Sequence, residues 1–388
     1  VTEQTNSNDG RRPELRVAMV GHAFMGAVHS QAWRSVARFF DVPRSPTMVV
    51  LGGRDPERTA QAAQRMGWAE SSTDWRELVR RDDVDLVDIC TPGDTHAEIA
   101  IAALEAGKHV LCEKPLANTV DEAERMVRAA EQARERGVFS MVAFNYRRVP
   151  ALALARRLVA EGRLGEIRHV RAAYLQDWLA DAAAPMTWRL RREQAGSGSL
   201  GDIGAHIIDA SQFVTGQTIT GVSGLTETFV RQRPSDTAGG LEDVTVDDCA
   251  LFTARFSGGA VGSFEATRYA LGRKNAMRIE VNGSRGSLAF DFESMNELWF
   301  HDGADAPETE GFRRIVVTEP THPYVGAWWP PGHVLGYEHT FTHELADLLT
   351  AIESGTPPEP SFADGLRVQR VLAAVERSAE NGSSFVKV

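Results

Sequence analysis

Three ionisable side chains stand at positions where chemistry, rather than solvation, explains them. Lys114 lies in Glu113-Lys114-Pro115, directly after the apolar run His109-Val110-Leu111-Cys112. An amine at the end of a buried strand loses hydration unless a carboxylate or a ligand compensates it. Glu113 is a poor partner, because adjacent residues of an extended segment point to opposite sides, so the lysine is expected to face a ligand. Asp202 and His206 follow in Asp202-Ile203-Gly204-Ala205-His206, within a stretch whose apolar residues (Ile203, Ile207, Ala210, Val214) recur at helical spacing. Four residues apart, the two should share one helix face. That pairing suits acid-base work, since a histidine exchanges its proton near neutrality. Metal ligation and a buried structural Asp-His pair are the alternatives. Asp209 lies on another face and gives no third ligand, so acid-base work is preferred and no metal is expected.

A second set of residues has the spacing of a dinucleotide site. Gly21-His22-Ala23-Phe24-Met25-Gly26 follows a strand and opens a helix, the context in which glycine turns let a helix N-terminus meet a pyrophosphate. Ala23 replaces the second glycine of the usual fingerprint, and a plain strand-to-helix turn is the alternative. The second strand ends in Gly52-Gly53-Arg54-Asp55. An acid there would bond the adenosine ribose and an arginine would accommodate a 2′-phosphate, so Arg54 keeps NADP open beside NAD, while Asp55 also suits a helix N-cap before Pro56. Thr91-Pro92-Gly93-Asp94-Thr95-His96 lies at the carboxyl edge of another strand, where such sheets bind ligands; Asp94 or Thr95 capping a helix, with His96 exposed, is the other reading.

The elements that must position these residues fall into two patterns. Strands at 15–20, 48–52, 84–90, 109–112 and 138–144 alternate with helices, notably 94–106 and 119–136, which is the rhythm of a doubly wound parallel sheet. After Pro150 come one helix (151–161) and then alternating strands at 167–176, 220–231, 248–256, 260–267, 276–282 and 286–291, expected to form a mostly antiparallel sheet. Helices at 337–353 and 362–380 should pack near the junction. The fold class is therefore α/β, a Rossmann half over 14–148 followed by an α+β half over 149–388 with a large open-faced sheet, after a disordered tail at 1–13. Gly196-Ser197-Gly198-Ser199-Leu200-Gly201 has neither the Lys-Ser/Thr of a phosphate loop nor the setting of a nucleophile elbow, and reads as a flexible helix entry. The stretch 233–240 reads as a mobile loop.

Composition excludes several classes. With 42 basic and 53 acidic residues the net charge is -11, which argues against nucleic-acid binding through phosphates. Acidic residues gather around Asp177, Asp181, Glu242, Asp243, Asp247 and Asp248; they form either a solvated face or an attraction for an amine-bearing ligand. Cys90, Cys112 and Cys249 show no paired spacing and are expected as buried thiols in a reducing cytosol. No apolar run approaches the roughly 20 residues that span a bilayer, so a soluble cytoplasmic protein is expected, with no membrane partner. Trp178, Trp188, Trp328 and Trp329 either stack on a sugar ring or pack in the core.

Taken together, these motifs make the chain resemble the glucose-fructose oxidoreductase/inositol dehydrogenase (Gfo/Idh/MocA) family over nearly its whole length. Glu113-Lys114-Pro115 matches the family's signature tripeptide, Asp202 with His206 its acid-base pair, and Thr91-Pro92 with His96 its cofactor-side loop; Ala23 and Gly53 depart from the commonest pattern. Phe144-Asn145-Tyr146-Arg147-Arg148, Tyr174-Leu175-Gln176-Asp177-Trp178, Val246-Asp247-Asp248 and His322-Pro323-Tyr324 resemble the subgroup with levoglucosan dehydrogenase and aminoglycoside sugar 3-dehydrogenases. The resemblance implies an NAD(P)-dependent dehydrogenase acting on a secondary ring hydroxyl, at the 3-position, of a sugar or aminoglycoside. His206 would take the hydroxyl proton, Asp202 would orient and charge it, and Lys114 would polarise the forming carbonyl. It further implies NAD contacts from Gly21, Ala23, Phe24, Met25, Gly26, Arg54, Thr91, Pro92, Thr95, His96, Glu113, Lys114, Asn145, Trp188 and Arg189, and substrate contacts from Tyr146, Asp177 and Trp178. A homodimer or homotetramer is expected. An NAD-retaining glycoside hydrolase and a nonenzymatic cofactor-binding sensor are the alternatives within the family.

Overall fold

The computed structural model describes residues 12–236 and 239–388. Most of the expected tail lies outside the described residues. Arg12 and Pro13 lie inside and are held: the Arg12 guanidinium bonds Asp41, and the Ser45 N–H donates to the Pro13 carbonyl at 2.8 Å.

Six strands form the first sheet: β1 (Glu14–Val20), β2 (Ser45–Gly52), β3 (Glu70–Ser72), β4 (Leu86–Ile89), β5 (His109–Glu113) and β6 (Ser140–Ala143). All pair in parallel, in the order β3-β2-β1-β4-β5-β6. The chain reverses direction of growth between β1 and β4, the crevice in which such sheets bind ligands. Helices α1 (Phe24–Phe39), α2 (Pro56–Met66), α3 (Trp75–Leu78), α4 (His96–Glu105) and α5 (Val120–Arg134) connect the strands. Local sequence sets their ends. Asp55 caps α2 by accepting the Arg58 N–H and Gly67 closes it in the left-handed region, while Thr119 and Glu122 form a capping box at α5. β3 escapes the sequence reading because its Glu-Ser-Ser is polar and short.

The second sheet has nine strands: β7 (Ile167–Leu175), β8 (Ile219–Glu227), β11 (Cys249–Phe256), β12 (Val261–Thr267), β13 (Ala276–Gly283), β14 (Gly286–Asp291), β15 (Glu297–Asp302), β16 (Arg313–Val316) and β17 (Val386–Lys387); β9 (Gln232–Pro234) and β10 (Leu241–Asp243) form a separate hairpin. Only β7 and β12 run parallel, the other pairs being antiparallel. Alternation works as read: Ala250, Phe252, Ala254 and Phe256 of β11 point inward, and Leu251, Thr253 and Arg255 outward. The inner face is covered by α6 (Pro150–Ala160), α8 (Ala205–Thr215, after the short α7 at Arg192–Ala195) and α10 (Phe362–Glu380), and the outer face is bare. α9 (Tyr337–Ser354) packs on α1, whereas α10 lies against α5 and β8, so the last two helices tie the sheets together.

Three loop and burial expectations are corrected. Arg233 is fully buried, its guanidinium donating to the carbonyls of Leu179, Asp181 and Ala184 and to Tyr269, so the start of the stretch 233–240 is anchored; residues 237 and 238 lie outside the described residues. The glycine-rich segment 196–201 is pinned, because the Asp247 carboxylate accepts the Gly198 and Leu200 N–H groups and the Ser199 hydroxyl at 2.6–2.9 Å. Gly198 is required there, since a Cβ would collide with the Asp247 carbonyl. Cys249 is only partly buried, unlike Cys90 and Cys112.

Candidate functional site

The turn after β1 fits a dinucleotide. Gly21 has φ +103°, and a Cβ on it would stand 2.5 Å from the Cys90 carbonyl oxygen of the neighbouring β4 loop. Gly26 is equally constrained, by the Gly21 carbonyl. Ala23 sits at the N-cap of α1 in an extended conformation that any residue adopts, so it needs no glycine. It offers no side-chain cap and the first turn holds no acid, leaving the helix-entrance N–H groups free for phosphate oxygens. Phe24 is 64 % exposed and lies 6.1 Å from Tyr337 in a stacked pair; Met25 packs against the core.

Across the crevice, Thr95 bonds the Thr91 hydroxyl at 2.7 Å and the Pro92 carbonyl at 2.9 Å, closing the loop that leads into α4. His96 is buried, which corrects the exposed alternative. Its ring bridges the carbonyls of Thr91 (2.9 Å) and Pro115 (3.0 Å) and so locks this loop to the Glu113-Lys114-Pro115 segment. Neither Asp94 nor Thr95 caps the helix with its side chain.

At the end of β5, Glu113 and Lys114 point apart. The Glu113 carboxylate accepts the Lys114 backbone N–H (3.1 Å) and meets His29 Nε2 (3.0 Å), while His29 Nδ1 lies 3.0 Å from both Asp88 oxygens. Burial opposes charge on the His29 ring, but Asp88 outweighs it and holds the pKa well above the ordinary value. An imidazolium between two buried carboxylates thus fixes the strand end that carries Lys114. Trp33 completes the set by donating to Asp88 at 2.8 Å. His29, Asp88 and Cys90 have ligand atoms within 4.8 Å of one another, but their own hydrogen bonds already occupy the carboxylate.

The Lys114 ammonium donates to the Asp202 carbonyl at 2.7 Å and lies 3.5 Å from its carboxylate. Asp202 sits in a wide π-type turn, Leu200–Gly204, and α8 begins only at Ala205, so the regular helix expected through 202–206 is corrected. On the other side, Arg268 Nη1 is 3.5 Å from the same carboxylate. Burial raises the Asp202 pKa, yet Lys114, Arg268 and Arg189 together hold it below the usual carboxylate range. His206 is buried and stacks on Tyr146, with ring centroids 4.4 Å apart. Burial, and then Lys114, push its pKa well below the ordinary histidine value against the opposing pull of Asp202. The ring is therefore a neutral base at neutral pH. Among the described residues Nδ1 is buried without a hydrogen-bond partner and Asp202 makes no hydrogen bond to it, so Asp202 acts on His206 here through charge and not through the expected direct orientation.

A hydrogen-bonded chain leads outward from this base. The Tyr146 and Tyr174 hydroxyls are 2.6 Å apart, Tyr174 and Gln176 both donate to Asn275 Oδ1 at 2.7 Å, and Trp178 donates to Gln176 at 3.0 Å. Trp178 is 44 % exposed and stands over Arg268. Trp188 is covered by Arg189 at 4.4 Å. Asn145 is buried and donates to Thr340. Trp328 and Trp329 pack on Phe39 and lie with α9, away from this chain.

Most of the acidic residues have partners within the fold. Asp177 pairs with Lys274 (2.8 Å) and accepts the Gly272 N–H, Glu242 pairs with Arg191, Asp248 accepts the N–H groups of Phe229 and Val230, Asp181 accepts the Ala183 N–H, and Asp243 accepts from Gln232. Of the two readings of these residues, Asp177 and Glu242 are neutralised by ion pairs, Asp247 and Asp248 are buried, and Asp181 and Asp243 remain on the solvated face. Residues the sequence reasoning missed are Arg268, His29 and Asn275, and Tyr174 was quoted only within a motif, without a role. Arg268, a charge closing the alternating strand β12, carries the same signal that singled out Lys114. His29 and Asp88 looked like ordinary helix and strand residues until the fold brought them together.

The chain belongs to the Gfo/Idh/MocA family. Residues 15–143 match the oxidoreductase family with NAD-binding Rossmann fold, and residues 152–289 match the GFO/IDH/MocA C-terminal domain. The chain is thus an NAD-binding oxidoreductase. It is 42 % identical over 383 residues to a levoglucosan dehydrogenase from Pseudarthrobacter phenanthrenivorans, covering 95 % of this chain and 97 % of that protein. Among solved structures it is similar to an oxidoreductase domain protein from Kribbella flavida (63 % identity, TM-score 0.95, 97 % of this chain and 99 % of that one). A levoglucosan dehydrogenase in complex with NADH and levoglucosan superposes with TM-score 0.93 at 42 % identity, again over 97 % of this chain and 99 % of that one.

Proposed function

We propose that the protein oxidises a secondary ring hydroxyl, at the 3-position, of an uncharged pyranose-type sugar, with the reverse reduction available. The observation that carries this reading is the meeting of a lysine ammonium, an ionised carboxylate and a neutral buried histidine at the mouth of the dinucleotide crevice. His206 takes the hydroxyl proton through Nε2, the nitrogen left to a ligand when Nδ1 is buried. Lys114 donates to the oxygen as negative charge gathers on it, the kind of fixed donor that favours a forming alkoxide and then a carbonyl. Asp202, kept ionised between Lys114 and Arg268, balances the positive charge that His206 acquires. The nicotinamide, when bound, supplies the hydride acceptor for the carbon-bound hydrogen. Trp178 and the Tyr146-to-Gln176 chain present a flat face and hydroxyl-matching polar groups to a sugar ring. An aminoglycoside finds less support, because Asp177 is already neutralised by Lys274.

The bare outer face of the second sheet, with Leu251, Val261 and Trp299 each at least 40 % exposed, supports a homodimer or homotetramer, which sedimentation would read. The test of the activity is nicotinamide reduction on a panel of pyranoses, anhydro sugars and aminoglycosides, with the product assigned by NMR. Net NADH with a 3-keto sugar supports the proposal. Release of an aglycone without net NADH indicates a hydrolase instead, and cofactor binding without turnover across the panel indicates a sensor.

A further inference from the structure

The hydrogen-bonded chain that ends beside His206 has a direction, and one indole sets it. Trp178 Nε1 carries a proton and no lone pair, so the Gln176 atom 3.0 Å from it must be the amide oxygen. The other end of that amide, Nε2, is therefore a donor, and it lies 2.7 Å from the Asn275 side chain. Only Oδ1 of Asn275 accepts, so the Tyr174 hydroxyl, 2.7 Å from the same oxygen, gives it its single proton. Tyr146, 2.6 Å from the Tyr174 oxygen, must then be the donor of the last bond. The reverse order would set N–H against N–H at Gln176, an opposition that buried polar groups avoid.

The consequence falls at the base. Tyr146 stacks on His206 with ring centroids 4.4 Å apart, so its hydroxyl stands beside the ring that takes the substrate proton, with no proton of its own left to give. Toward a ligand it offers lone pairs alone. Tyr146 and Tyr174 are buried, and the loop that leads to Asn275 is fastened by Asp177, which accepts the Gly272 N–H at 3.1 Å and the Lys274 ammonium at 2.8 Å. Lys114, by contrast, brings donors only. With His206 and Lys114 taking the reacting hydroxyl, the group left to meet Tyr146 is a hydroxyl on a neighbouring ring carbon, and the fixed direction makes that hydroxyl the donor.

We propose that Trp178, Gln176, Asn275 and Tyr174 are positioning residues that hold Tyr146 as a hydrogen-bond acceptor beside the base, and that the protein therefore selects sugars with a free hydroxyl on a carbon next to the one oxidised. The proposal rests on the sugar-oxidising reading above. Fluorine accepts hydrogen bonds but donates none, so the experiment measures kcat/KM for a pyranose that the wild type oxidises and for analogues in which either neighbouring hydroxyl is replaced by hydrogen or by fluorine. At one of the two positions both replacements should lower kcat/KM by about tenfold or more. Gln176→Glu reverses the chain: its carboxylate accepts from Trp178 and from a turned Asn275 amide, Asn275 donates to Tyr174, Tyr174 donates to Tyr146, and the Tyr146 proton is freed for the ligand. The fluoro-to-deoxy ratio at that position should then rise at least about fivefold over the wild type, a comparison in which the inductive effect of fluorine cancels. Tyr174→Phe, which removes the acceptor of the Tyr146 proton, should move the ratio the same way, and thermal melts check that both variants fold. Deoxy analogues within about threefold of the parent at both positions, or a ratio unchanged in either folded variant, overturns the proposal. A wild type that oxidises no sugar removes the functional reading and this proposal together, whereas turnover without discrimination removes this proposal alone.

Discussion

Replacing Lys114 by methionine removes the ammonium while keeping the length and apolar stem of the side chain. In the structure the amine holds the Asp202 carbonyl at 2.7 Å and stands 3.5 Å from its carboxylate. At an effective dielectric of about 20, that second separation corresponds to about 5 kcal/mol of Coulomb attraction, an upper bound because water regained at the site offsets part of it. Arg268 remains at 3.5 Å on the other side of the Asp202 carboxylate. The catalytic loss comes from the missing donor to the forming alkoxide, for which a fall of about 10²–10³ in kcat is expected. A second consequence has a definite sign. Burial is the largest cause of the depressed His206 pKa and is unchanged, but the next, the Lys114 charge, is gone, so the pKa rises toward the ordinary value. The acid limb of kcat/KM for sugar oxidation, which reports when His206 becomes protonated, must therefore move to higher pH. Initial rates of nicotinamide reduction across the pH range measure both effects, and a sugar deuterated at the reacting carbon shows whether hydride transfer limits the rate. Activity within about threefold of the wild type, or an acid limb that moves to lower pH, would refute the reasoning.

Other variants probe the supports of the site. Arg268→Gln takes one of the two cations from Asp202, so kcat/KM should fall by about tenfold or more and the limb due to Asp202 should shift upward, with Arg268→Lys restoring part of both in the same pH profile. Arg147→Met should cost about 3–5 kcal/mol in denaturant unfolding, because it strands Asp209, now bonded to Arg147 Nε at 2.9 Å, as a buried charge; adding Asp209→Leu should recover most of it. Glu344 is buried with both carboxylate oxygens unpartnered among the described residues, and burial lifts its pKa to about 8. The folded state therefore holds a proton that the unfolded chain releases at ordinary carboxylate pH, and stability falls as pH rises from that range through about 8. Glu344→Gln should flatten this dependence, with a gain above pH 8 of at most about 5 kcal/mol; melts that keep the wild-type slope would count against it.

Much of this architecture could be read from single residues and their spacing. Periodicity located five of the six parallel strands, because strands buried on both faces are near-continuous apolar runs. It passed over β3, whose Glu70–Ser72 has no apolar residue to betray it, and β15 with the edge strand β16, beyond the last expected strand. The lysine of Glu113-Lys114-Pro115 was legible because a charge at a buried strand end conflicts with its surroundings. The sequence left His96 open between the ligand-side loop and an exposed helix start because its partners, two backbone carbonyls, have no signature in sequence. The acidic residues show the same limit: composition counted the carboxylates, and only the fold showed Lys274 on Asp177 and the backbone N–H groups on Asp247 and Asp248.

What the sequence by itself determined is the set of reacting groups and the two kinds of sheet that hold them, since both depend on residue type and local period. Tertiary structure alone decided the protonation states and the cofactor end. Asp202 is ionised because Lys114 and Arg268, far apart in sequence, flank it; His206 is neutral because its burial and the Lys114 charge both oppose a second proton. A side chain at Gly53 would collide with the Thr59 hydroxyl and the His22 ring. Electrostatic and steric fields depend on distances through space, and those are set only when the chain has folded.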